Sequence, residues 1–281
     1  MQNVIALIFD FDDTLAPDST SGFLDNLGVN PDEFWKESVV LQEQGWDPVP
    51  AYLYKLIELS KSKRTGGLIT RDQFQDWGSR IKFFSGVTSI FKRLKDFAAK
   101  VNPQVRLEFY LVSSGVRDVI ASSKIAAQFT DIWACDFHYG RKGELLFPKN
   151  VISFTDKTRY IFQISKGLIG PEYRSKPFEV NRSVLAAELR VPFRHMIFTG
   201  DGYTDIPCFS LVRKEGGVSF GVYDPSNSDK WSRAWGYIED HRVTNLAPAD
   251  YGKNSGLTHN LMMAISKIAA EIRLGSSSYQ G

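Results

Sequence analysis

Two short stretches carry carboxylates whose spacing could support metal or group-transfer chemistry. Residues 5–20 read IALIFDFDDTLAPDST and bring Asp10, Asp12 and Asp13 to the end of an apolar run. Residues 198–209 read FTGDGYTDIPCF and bring Asp201 and Asp205 to the end of another, with Gly200 and Gly202 allowing a sharp turn. On an extended strand, Asp10 and Asp12 project to the same side, whereas Asp13 projects away and reads as a turn or capping residue. A single aspartate in such a place often caps a helix or closes an Asx-turn, and Asp205 could be a first-turn helix acid. Two acidic clusters at neighbouring strand ends repel each other unless a cation sits between them. A hard divalent ion with oxygen ligands, most simply Mg²⁺, resolves that conflict.

Two further pieces fit the same chemistry. LVSSGVRD, residues 111–118, ends an apolar run with Ser113, Ser114 and Gly115, which offer hydroxyl and backbone N–H donors of the kind a phosphate needs, or an ordinary N-cap. Lys157 opens a helix-like segment, where the positive end of the helix disfavours a cation, so an anion is expected nearby.

The elements that must position these groups are short, nearly continuous apolar runs at residues 4–9, 107–112, 132–137, 196–199 and, more weakly, 217–222. Such runs suit parallel strands covered on both faces. Helix-like segments lie between them at residues 89–101, 117–129, 157–168 and 181–191. The alternation predicts an α/β fold with an open, Rossmann-like parallel sheet, whose ligands bind beyond the carboxyl ends of the strands. Residues 18–84 interrupt it with helical segments and read as an inserted helical unit over that edge, leaving residues 1–17 and 85–273 as the core. Residues 170–182 read as a surface loop with two prolines. A terminal helix places Leu257, Leu261, Ile265, Ile268 and Ile272 on one face, followed by a tail at residues 274–281.

Bulk properties narrow the function classes. The 281 residues are 43% hydrophobic and carry 34 Lys+Arg against 32 Asp+Glu, so no overall field gathers nucleic acid or an acidic membrane. The opening residues lack a secretory leader pattern, and no apolar stretch is long enough to span a bilayer. Cys135 and Cys208 form no metal spacing and read as buried thiols, so a cytoplasmic setting is expected. His138, His195, His241 and His259 are scattered and also lack metal spacing.

In order, DxDxT (Asp10, Asp12, Thr14), a strand-terminal serine (Ser113), a helix-start lysine (Lys157) and GDGxTD (residues 200–205) resemble the four motifs of the haloacid dehalogenase superfamily of phosphohydrolases. The resemblance covers almost the whole chain. The helical insertion looks like a type 1 cap, and with residues 131–148 it is most similar to the phosphoserine phosphatase branch. It implies Asp10 as nucleophile, Asp12 as acid and base, Ser113 and Lys157 as catalytic and phosphate-binding groups, and Ser114 and Gly115 as further phosphate contacts. It also implies Mg²⁺ held by the Asp10 side chain, the Asp12 carbonyl and Asp201, with Asp205 as a direct, water-mediated or supporting partner.

The expected activity is hydrolysis of a small-molecule phosphate ester through an aspartyl-phosphate. A phosphotransferase using the same nucleophile and a non-catalytic phospholigand-binding protein are the alternatives. The aspartate at Asp12 favours phosphate transfer over dehalogenation, which needs no leaving-group acid. Phosphoserine phosphatases place an ammonium-reading glutamate shortly after the first motif; here Asp18 and Ser19 fall near that place. Arg64, Arg71 and Arg80 are the inserted cations that could read a carboxylate. Among the insertion's aromatics, one or two are expected to line a substrate pocket.

Overall fold

The apolar runs are strands because only a sheet covered on both faces can bury them completely. Every residue of β1 (Val4–Phe9) is buried. The computed structural model describes residues 2–226 and 242–277. Among these, the strands are β1, β2 (Arg106–Val116), β3 (Asp131–Tyr139), β4 (Leu145–Asn150), β5 (Met196–Gly200), β6 (Val218–Tyr223) and β7 (Asn245–Pro248). They form one sheet in the order β4-β3-β2-β1-β5-β6-β7, parallel except for the antiparallel edge strand β4. β1 pairs with β2 on one side and β5 on the other, so Phe9 faces both Leu111 and Thr199 in register. Strand order reverses at β1, which opens a crevice at its carboxyl end.

Four helices are inserted after β1: α1 (Ser19–Asn26), α2 (Pro31–Glu43), α3 (Pro48–Lys61) and α4 (Arg71–Arg80). The first three begin at side-chain caps, Asp18, Asn30 and Asp47, each accepting backbone N–H bonds from its first turn. Their apolar faces join the sheet's own core: Phe74 of α4 stacks on Phe137 of β3, with ring centroids 6.1 Å apart. The remaining helices are α5 (Val87–Val101), α6 (Arg117–Ala121), α7 (Asp156–Lys166), α8 (Ile206–Lys214) and α9 (Gly256–Ser277). All five expected apolar positions of α9 are buried. That helix continues to Ser277, beyond the expected start of the tail, and residues 278–281 lie outside the described residues.

Several expectations from the sequence are corrected. Residues 117–129 form only the short α6 and a separate 3-10 turn at Ala126–Gln128. Residues 181–191 are not an α-helix. Only Val191, at the segment's end, reaches the core; Leu185 is 70% exposed, and the Gln2 amide takes the carbonyls of Ala186 and Leu189. Without a buried face a segment of that length does not hold a helix. Residues 170–182 do not merely decorate the surface. Gly170, Tyr173, Arg174 and Pro177 line a cleft of about 520 Å³ beside β3 and α7, which none of the acidic strand-end residues borders.

Candidate active site

β1 ends at Phe9, so the loop after it, rather than strand alternation, aims Asp10 and Asp12. The Asp10 N–H donates to the Thr199 carbonyl at 3.0 Å, carrying the β1–β5 ladder one residue past the strand. Its Oδ1 accepts the Phe11 N–H at 2.7 Å and its Oδ2 accepts from Lys157 Nζ at 2.8 Å. Asp13 turns the chain with φ 53°, as a turn residue should, yet it also borders the cleft rather than pointing away.

Lys157, near the start of α7, has no exposed surface. Its ammonium donates to both Asp10 Oδ2 and Asp205 Oδ1, at 2.8 and 2.7 Å. Burial works to lower the lysine pKa, but the two carboxylates outweigh it and hold the ammonium above its ordinary value. Asp205 Oδ2 accepts the Gly202 N–H at 3.0 Å, so both of its oxygens are bound. Gly200 is required for close approach rather than for a left-handed turn: a Cβ there would lie 2.4 Å from Asp205 Oδ2.

Asp201 borders the cleft, within reach of the Thr14 hydroxyl at 3.5 Å. Burial, then the Asp205 and Asp10 charges, push its carboxyl well above the usual range. One oxygen from each of Asp10, Asp201 and Asp205 lies within 4.8 Å of the others. Three carboxylates against one ammonium leave the cluster short of positive charge, and its all-oxygen donor set suits Mg²⁺. The Asp12 side chain is not in this group; only its backbone carbonyl was expected to contribute.

Asp12 lies across the cleft from this cluster. Its Oδ1 accepts the Ser19 N–H at 2.7 Å. Burial and the charge of Asp18 push its pKa up to about 8, against the lowering effect of the Ser19 bond. A Cβ on Gly115 would lie 2.4 Å from Asp12 Oδ2, so the backbone there must be bare for the carboxyl to fit. Ser113, Ser114 and Gly115 do not sit at a helix start, as the sequence suggested. They fall in an irregular stretch of β2 where the pairing with β3 shifts register between Val112 and Val116. The Gly115 N–H donates to Ser113 Oγ at 3.0 Å, which leaves the Ser113 hydroxyl proton free to donate elsewhere. The Ser114 hydroxyl is buried with no protein partner. Asp10, Asp12, Asp201 and residues 113–115 thus border one cleft of about 200 Å³, with Lys157 and Asp205 behind Asp10.

The inserted helices supply the other wall. Trp35 of α2 and Tyr52 of α3 line the cleft, with ring centroids 5.7 Å apart and planes at 53°. The Tyr52 hydroxyl donates to the Ser114 carbonyl and the Trp35 Nε1–H donates to Ser21 Oγ at 2.8 Å. Asp18, the cap of α1, also borders it, as does Thr20. None of the three candidate arginines does. Arg64 pairs with Glu37 at 2.7 Å, Arg71 with Asp118 at 2.9 Å, and Arg80 with Asp76 at 2.5 Å. His138 and His259 are exposed and His195 is buried away from the cleft, while His241 lies outside the described residues.

Comparison with known proteins places this architecture. A HAD family hydrolase from Salmonella enterica serovar Typhi superposes with a TM-score of 0.60 over 93% of this chain and 71% of its own, at 13% identity. A phospho-aspartyl intermediate analogue of phosphoserine phosphatase gives 0.53 over 87% and 93%, at 15% identity. A probable phosphoserine phosphatase from Vibrio cholerae gives 0.51 over 96% and 67%, at 11% identity. The chain therefore has the fold of the haloacid dehalogenase-type hydrolases, with an open Rossmann-like sheet and inserted helices. In sequence it is similar to an uncharacterized protein of Borreliella burgdorferi, 29% identical over 289 residues that cover 94% of this chain and 97% of that one. No protein-family model matches the sequence. Among the described residues, no helix is long and apolar enough to cross a membrane.

Proposed function

We propose that this chain is a Mg²⁺-dependent phosphatase that hydrolyses a small phosphomonoester through an aspartyl-phosphate on Asp10. The observation that carries the reading is that Asp10, held by Lys157, borders one cleft with Asp12, whose carboxyl burial and the Asp18 charge push toward the protonated form. The solved phospho-aspartyl analogue on a similar fold is consistent with it.

Asp10 attacks phosphorus with a carboxylate oxygen while Asp12 delivers its proton to the departing ester oxygen. The P–O bond to the alcohol breaks as the bond to Asp10 forms. Asp12, now ionised, takes a proton from the water that attacks the aspartyl-phosphate, which releases phosphate and restores both aspartates. The Ser113 hydroxyl donates to a phosphoryl oxygen, and Ser114 and Gly115 flank that position. Lys157 offsets negative charge on Asp10 throughout. Asp10 and Asp201, with the Asp12 carbonyl, would hold Mg²⁺, which supplies charge neutralisation for the phosphoryl group. Asp205, both of whose oxygens are bound, supports from behind. The inserted helices α1–α4 act as a cap that restricts the cleft to small esters and limits bulk water. The chemistry suits a reducing compartment such as the cytoplasm, since both cysteines are buried free thiols.

The test is phosphate release from p-nitrophenyl phosphate with Mg²⁺ and with chelator. Turnover is expected only with the metal, and Asp10→Asn should lower it by at least about 10³-fold. Turnover of Asp10→Asn at the wild-type rate would remove Asp10 as nucleophile. Product analysis with added alcohols separates hydrolysis from transfer.

A further inference from the structure

The wall that meets the leaving group has a definite chemical character. It consists of the Asp18 carboxylate, Thr20 and the rings of Trp35 and Tyr52, and among the described residues no lysine, arginine or histidine borders the cleft. The nearest ammonium, on Lys157, is buried and taken by two carboxylates. Of the cations on the inserted helices, Lys55 binds Glu37 and Glu58, Arg64, Arg71 and Arg80 each hold an acid away from the cleft, and Lys36 and Lys61 are exposed and do not border it. A leaving group that carried a carboxylate would therefore meet Asp18 with no counter-charge.

A cationic nitrogen meets the opposite situation. Asp18 accepts the Thr20 and Ser21 N–H groups on Oδ1 and the Ser21 hydroxyl on Oδ2, which fixes its carboxylate in place, and no cation among the described residues pairs with it. Ser21 Oγ in turn accepts the Trp35 Nε1–H, so the acid and the indole are held by one hydroxyl. The Tyr52 ring is anchored by its bond to the Ser114 carbonyl. Two fixed aromatic rings inclined to one another beside a fixed carboxylate attract an ammonium or alkylated ammonium group by charge and by cation–π interaction.

Resting on the phosphatase reading, we propose that the preferred substrates are phosphate esters of amino alcohols, which carry a cationic nitrogen and no carboxylate on the leaving group. The phosphoryl group and its counter-charges are common to every ester, so the preference comes from Asp18, Trp35 and Tyr52 alone.

The experiment compares kcat/KM of the full chain with Mg²⁺ for phosphoethanolamine, phosphocholine, phosphoserine and 3,3-dimethylbutyl phosphate, the neutral isostere of phosphocholine. p-Nitrophenyl phosphate reports the chemistry itself. At least one amino alcohol ester is expected to exceed phosphoserine by about 10-fold or more, and phosphocholine to exceed its isostere by about 3- to 30-fold. Asp18→Asn, which keeps a good helix cap and removes the charge, should bring the phosphocholine-to-isostere ratio close to one. Hydrolysis of the aryl ester with phosphoserine equal to or above both amino alcohol esters, or with no advantage over the isostere, overturns the proposal and leaves the phosphatase reading intact. Absence of turnover on every ester removes both.

Discussion

The Lys157 ammonium stands 2.8 Å from Asp10 Oδ2, with its side chain wholly withdrawn from solvent. Its second bond, to Asp205, makes it the shared counter-charge of two acids on different strand ends. Removing one member of a buried ion group leaves the others uncompensated. Lys157→Met should therefore lower stability by about 3–5 kcal/mol, measured by urea unfolding in chelator. Added Mg²⁺ should recover part of that loss, because it restores positive charge among the same carboxylates. A variant as stable as the wild type in chelator would show that the acids do not depend on the lysine.

In the proposed mechanism Asp12 has a separate job from Asp10, and leaving-group chemistry separates the two. An alkyl alcohol leaves poorly without a proton, whereas p-nitrophenolate leaves readily. Asp12→Asn is expected to lower kcat for an alkyl phosphate by about 10²–10⁴-fold and to cost much less on p-nitrophenyl phosphate. Equal losses on both esters would argue that Asp12 does not serve as the acid.

Gly115 gives a test of fit rather than of charge. A methyl group there would lie 2.4 Å from Asp12 Oδ2 and 3.3 Å from Ser113 Oγ. Gly115→Ala must displace one of them, and displacement of a catalytic group by about 1 Å can cost ~10²-fold in rate. The expected result is a fall of that order in kcat on an alkyl ester with the thermal melt little changed. Full activity would show that the Asp12 position tolerates movement.

His195 provides a pH signature remote from the cleft. Burial, then the neighbouring Arg194 charge, lower its pKa from 6.5 to about 4, and its Nδ1 is buried without a partner. As the pH falls, the unfolded chain takes up this proton before the folded one does. The contribution to stability is thus intact above about pH 6.5 and is lost progressively toward pH 4. At most about 3 kcal/mol is at stake. Urea unfolding of the wild type and His195→Leu at pH 7 and 4.5 should show a smaller acid loss in the variant; parallel losses would sink the assignment.

The strand ends were legible because apolar runs that stop at acids leave few alternatives. Asp10, Asp201 and Ser113 could be named from such local breaks, as could Lys157 behind Asp10, and the cleft that the first three border follows from strand order. Other features depend on distant partners. The arginines looked available in sequence, yet Arg71 finds Asp118, 47 residues away, only after α4 packs against α6. Residues 181–191 have helical periodicity, but only Val191 at the end is buried, a deficit that appears only in three dimensions. The edge strands β4 and β7 are partly exposed, so neither carries the apolar run that betrayed the central strands. The insertion's aromatics stood out only as a group, because which rings face the cleft depends on how α2 and α3 sit over the sheet.

The two walls of the cleft descend from different parts of the chain. Asp10, Asp12, Asp201 and the Ser113 hydroxyl come from β2 and the loops after β1 and β5, with the Lys157 ammonium behind Asp10 on α7, whereas the rings come from α2 and α3. On the proposed reading, substitution at Trp35 would change the alcohol accepted and leave Asp10, Asp12, Ser113 and Lys157 in place, whereas Tyr52 also holds the Ser114 carbonyl. Inheritance of the chemistry and inheritance of the substrate are thereby separable, and a relative that shares the acidic strand ends need not share the diet.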